Sequence, residues 1–106
     1  VSGYTVDVPG IGTLRTSLAA AKRVNATCGS YFDQLQRLVA QDFATYVALV
    51  AAGLGKKPED VEAKVFDVGL DDLNEPLTKF VKSLKNGGRD PDLLPPGAEG
   101  DDTGES

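Results

Sequence analysis

The longest apolar run in the chain is DFATYVALVAAGLG, from Asp42 to Gly55. Phe43, Val47, Val50 and Leu54 fall at i, i+4, i+7 and i+11, which is one stripe of an α-helix. Tyr46, Leu49 and Ala51 flank that stripe, so the pattern predicts a central helix covered on more than one side. Asp42 is placed to cap its first turn by accepting a backbone N–H, and Gly53 and Gly55 are placed to supply a left-handed stop. At about a dozen residues, the run falls well short of the roughly 20 that a membrane-spanning helix needs.

The remaining segments arrange themselves around that helix. Tyr4-Thr-Val-Asp-Val8 alternates β-formers, Pro9-Gly-Ile-Gly12 is turn material, and Thr13-Leu-Arg-Thr16 returns, which together predict a β-hairpin. Two strands alone are marginal in water, so the hairpin must lean on helices. Thr16 or Ser17 opens a helix that carries Leu18, Ala21, Val24 and Cys28 and ends at Gly29. Ser30, with Asp33 three residues on, opens the next one, whose expected apolar face is Phe32, Leu35, Leu38 and Val39. Pro58-Glu59-Asp60 is a helix start with proline in the first turn and acids at the positive end of the dipole, and Val61, Val65 and Val68 line its inner face before Gly69. Asp71 to Pro76 reads as a turn into a last helix with Leu77, Phe80, Val81 and Leu84 at i, i+3, i+4 and i+7, stopped by Asn86-Gly-Gly88.

The expected fold is therefore mainly α. A β-hairpin precedes a bundle of about five short helices within a single domain over residues 1–88. Residues 89–106 are Pro, Gly and acid with Leu93-Leu94 as their apolar content, and are expected to be a disordered acidic tail. Charge sharpens this division. Of the sixteen acids six stand from Asp90 onward, leaving ten beside all eleven bases, so the body is close to neutral while the whole chain carries −5. A near-neutral body with scattered Lys and Arg has no electrostatic footprint for nucleic acid. A single cysteine excludes an internal disulfide, and nothing reads as a signal peptide or membrane span, which points to the cytosol.

Candidate chemistry is sparse. The chain has no histidine, the commonest general base and metal ligand. Cys28 lacks a histidine partner and reads as a buried core thiol. Asp67, Asp71 and Asp72 lack the alternation and glycine of a calcium loop and read as helix-capping acids. Pro9-Gly-Ile-Gly12 lacks the lysine and the long preceding strand of a phosphate loop. Residues 53–73, GLGKKPEDVEAKVFDVGLDDL, resemble acyl carrier proteins locally. However, Asp72 stands where the phosphopantetheine serine would be, so no prosthetic group can attach. The expectation is a non-enzymatic protein with no catalytic residue, no metal and no cofactor.

The order of elements resembles the tail assembly chaperones of long-tailed phages (siphoviruses) and gene transfer agents. The matching stretches are Leu14-Arg-Thr-Ser17, Cys28-Gly29, Leu35 to Leu38, Ala52-Gly53-Leu54, and Leu77 to Leu84, covering about residues 4–88. The acidic extension departs from that pattern. The resemblance implies a protein that binds the tape measure protein during virion assembly in the bacterial host cytoplasm. Such a protein keeps apolar helices from aggregating and helps recruit tail tube subunits, without cofactor, membrane, nucleic acid or small-molecule substrate. A homo-oligomer is compatible with it. Phe80 and Leu84 on the final helix are the expected partner contact, because that helix has the fewest later elements to cover it. A minor structural tail or head–tail connector protein and a host-side adaptor module fit the same composition.

Overall fold

A computed structural model describes residues 4–89. Residues 1–3 and the acidic stretch 90–106, expected to be disordered, lie outside the described residues. The fold is mainly helical, with a two-stranded antiparallel hairpin at its start. Strands β1 (Thr5–Val8) and β2 (Gly12–Arg15) pair in the register Thr5 to Arg15 through Val8 to Gly12. The helices are α1 (Leu18–Cys28), α2 (Tyr31–Val39), α3 (Phe43–Leu54), α4 (Pro58–Val68) and α5 (Leu70–Lys85).

Helix α3 packs against β2, α1, α2, α4 and α5, and holds the centre as its apolar run predicts. Tyr46, Val47, Leu49, Val50, Ala51 and Ala52 are all buried. The hairpin leans on the helices through its inner face, where Val6 and Leu14 are cross-strand partners and both buried. Gly53 lets β2 approach closely. A Cβ built there would lie 2.8 Å from the Leu14 Cβ and 3.2 Å from the Phe80 ring. The left-handed stop falls to Gly55 alone (φ +70°), while Gly53 stays helical.

Caps follow local chemistry. Ser17 accepts from the Ala20 N–H at 3.1 Å and Ser30 from the Asp33 N–H at 3.1 Å. Asp42 occupies the N-cap position of α3, yet its carboxylate accepts no backbone N–H. It takes the Thr45 hydroxyl at 2.5 Å instead, because the Thr45 side chain is buried beside it and needs an acceptor.

Three expectations about facing and boundaries are corrected. Leu18 does not face the core, because α1 buries Ala20, Val24 and Cys28 and so turns its first residue outward. Asp71 to Pro76 is not a turn: α4 hands over to α5 at the single residue Gly69 (φ +92°), and α5 runs through Pro76. An internal proline deletes one helical hydrogen bond and disfavours the turn before it. The helix persists because Leu73 and Leu77, on either side of Pro76, are both fully buried. Tertiary burial here outweighs a local breaker.

The last correction is α2, which buries Gln34 and Leu38 and leaves Phe32 and Val39 in solvent. Its rotation is fixed by polar contacts. Gln34 Nε2 donates to the Gly29 carbonyl at 2.9 Å, closing the end of α1. The Leu38 carbonyl accepts from the buried Tyr46 hydroxyl at 2.5 Å and from Asn74 Nδ2 at 3.0 Å. With that edge of α2 turned inward the Gln34 amide N–H and the Leu38 carbonyl are paired, while Gln34 Oε1 is buried without a partner among the described residues.

The chain closes on itself at its described ends. Gly88 accepts at its carbonyl from the Tyr4 N–H at 2.8 Å, and the Thr16 hydroxyl, which donates to the Tyr4 carbonyl, lies 3.3 Å from the same Gly88 oxygen, tying the end of α5 to the open end of the hairpin.

Candidate functional site

Phe80 and Leu84, the expected partner contact, lie in the core at 0% and 5% exposure. The final helix is last in sequence but is covered from the start by earlier elements: β1, α1, α2, α3 and α4 all touch it. Neither side chain is available to a partner in the folded protein, so the contact expected there is not a surface.

The chemistry-bearing residues are no better placed for reaction. Cys28 is buried, and burial pushes its thiol above the ordinary range. Arg37 pulls the other way and Asp42 adds a smaller upward push. A thiol held neutral in an apolar setting is a poor nucleophile. Asp71 accepts from Gln41, and Asp71 and Asp72 sit in the first turn of α5, at the positive end of its dipole. The described residues hold no group of three His, Cys, Asp or Glu side chains able to bind a metal. Among them no helix is long and apolar enough to cross a membrane. One open cleft of about 570 Å³ lies between β2, α1 and the end of α3. A smaller one of about 330 Å³ lies between β1 and α5.

What the surface does carry is an apolar row on α2. Phe32 is 68% exposed and Val39 82%. Seven residues apart on a helix, they lie within about 20° of each other around the axis and about 10 Å apart along it. Leu35 and Tyr31, half-buried, join this row to the core side of the helix. Phe43, at the start of α3, is 39% exposed. Leu18 and Phe66 are also exposed, but α1 and α4 carry no second exposed large apolar side chain beside them. Isolated apolar residues are ordinary surface, whereas the two on α2 share one helix face.

The sequence signal for this row is present, since Phe32, Leu35, Leu38 and Val39 form a recognisable stripe. What the sequence does not reveal is that only the Leu38 edge turns inward. Comparison with protein-family models, curated proteins and solved structures gives no match for this chain.

Proposed function

We propose that this chain is a non-enzymatic protein-binding domain of the phage tail assembly chaperone kind. On this reading it holds an amphipathic helical segment of a tape measure protein against the exposed face of α2, helps recruit tail tube subunits, and works in the cytoplasm of a bacterial host. The observation that carries the reading is the solvent-facing pair Phe32 and Val39 on a short, well-anchored helix. An amphipathic helix laid along such a row is a standard recognition mode. The resemblance in element order supplies the identity of the partner.

Magnitudes favour a transient grip. Full burial of two large apolar side chains contributes about 1.5–3 kcal/mol each. Association costs at least about 4 kcal/mol in lost freedom. The row alone therefore gives weak binding, and useful affinity needs several such contacts along a long partner. A holding protein that must later release its client is served by that balance.

The test is calorimetric titration of tape measure segments into the intact protein. Phe32→Asp with Val39→Asp should weaken binding at least tenfold while leaving the thermal transition within the roughly 0.5 kcal/mol typical of surface changes. Intact protein that binds no tape measure or tail tube segment would overturn the chaperone reading. Unchanged affinity in the double variant would remove α2 from the interface.

A further inference from the structure

The larger cleft has a charge of its own. Arg15 projects from the outer face of β2 and Arg23 from α1, and both line it together with Thr13, Ser17 and Leu54. Among the described residues neither arginine forms an ion pair, the ion pair present being Lys79 with Glu75. Arg23 donates from Nη2 to the Lys56 carbonyl at the end of α3, which uses one of five guanidinium N–H groups. Asp7, the acid on the same face of the hairpin, accepts from the Thr13 hydroxyl at 2.8 Å. Two guanidinium groups with unused donors beside an open cleft suit a carboxylate-bearing ligand.

The last described residues lie against the junction between β2 and α1. Gly88 is pinned to Thr16, close enough that a Cβ on it would lie 2.5 Å from the Thr16 carbonyl oxygen. Thr16 stands between Arg15 and Ser17, two of the lining residues. Asp90 and Asp92 follow two and four residues after that pinned point. An extended chain advances about 3.3–3.6 Å per residue, so these carboxylates start within about 7 and 14 Å of it. Residues 90–106 carry six acids and no base.

We propose that the Arg15–Arg23 cleft is a docking site for an acidic peptide, and that its occupant is the chain's own segment 90–106. Charge complementarity selects an acidic segment, and the short tether from Gly88 selects this chain's own over that of a second copy. Individual exposed ion pairs are weak. A short tether offsets that weakness by holding the acids at an effective concentration on the order of millimolar. Docking is accordingly sensitive to salt, and it shields the arginines from other anions. The surface is separate from the α2 row, so this inference stands or falls independently of the partner proposed above.

The test uses the intact chain and its nitrogen-15 NMR spectrum. Raising salt from about 20 mM to about 0.5 M shortens the screening length from roughly 20 Å to roughly 4 Å. The amides of Arg15, Ser17 and Arg23 and the two arginine Nε signals should shift across that range. A variant with Asp90, Asp92, Asp101 and Asp102 changed to Asn, and Glu99 and Glu105 to Gln, should show the high-salt positions at low salt. In a Cys28→Ala, Glu99→Cys chain, a spin label at 99 should remove amide intensity around the cleft, and Arg15→Gln with Arg23→Gln should restore it. Shifts confined to residues 89–106, or intensity lost at α2 instead of the cleft, would overturn the proposal.

Discussion

Gly53 offers a direct contest between helix propensity and packing. In an open helix Gly→Ala stabilises by about 1 kcal/mol. At position 53 the new Cβ would stand 2.8 Å from the Leu14 Cβ, 3.0 Å from its Cδ2 and 3.2 Å from the Phe80 ring. Distances of that kind are relieved cheaply only when the obstructing atom ends a flexible side chain. Here the nearest atom is a Cβ, fixed to the backbone of β2, and the Phe80 ring blocks the opposite escape. Both Leu14 and Phe80 are fully buried, so relief requires α3 and the hairpin to separate. Overpacking of a filled core costs about 1–3 kcal/mol and occasionally more. The upper part of that range applies, and after subtracting the propensity gain the net loss is about 1–2 kcal/mol. For a domain of this size that lowers the Tm by roughly 5–15 °C. Thermal and urea unfolding followed by circular dichroism measure it. Ala48→Gly, at a half-buried position of the same helix, gives the propensity contribution in context. A Gly53→Ala protein melting at or above the parent would show that the hairpin yields freely and that the close approach is not required.

Pro76→Ala restores an N–H in the middle of α5, and with it a hydrogen bond to the Asp72 carbonyl. It should stabilise by up to about 3 kcal/mol. A lower Tm would mean that the ring's own packing outweighs the lost bond. Cys28 should react slowly with a thiol reagent in the native protein and rapidly in denaturant, as its buried, upward-shifted thiol requires. The same shift means that the unfolded thiol ionises first, so stability should fall as pH rises through and above the ordinary thiol range. Cys28→Ala should remove that part of the alkaline slope. Fast native labelling would place the thiol at the surface.

The helix starts at Ser17, Ser30 and Pro58 are legible because each is a local transaction between one side chain and its own first turn. The α3 run is legible for a different reason: it is apolar almost all round, so packing buries most of it and leaves only its first turn, with Phe43, at the surface. Facing is harder, and the candidate site depends on facing. Phe32 and Val39 belong to a visible stripe. Which edge of that stripe turns inward goes with Leu38 meeting Tyr46 of α3 and Asn74 of α5, contacts made with other helices, as well as with Gln34 reaching back to Gly29. Pro76 fails as a helix stop because Leu73 and Leu77 gain more by burial than the proline loses. Phe80 shows the same limit. Its place near the end of the sequence says nothing about which earlier elements surround it.

The knot of hydrogen bonds among Tyr4, Thr16 and Gly88 has a mechanical meaning. Sequences on either side of the domain enter and leave at one spot, so tension between them is not spread along the helices. It falls first on the Tyr4–Gly88 bond, loaded end-on like the first tooth of a zipper. Parting that contact separates α5 from the hairpin before it disturbs α3. Under load, the first contact to carry the tension is the closure that makes its two ends neighbours.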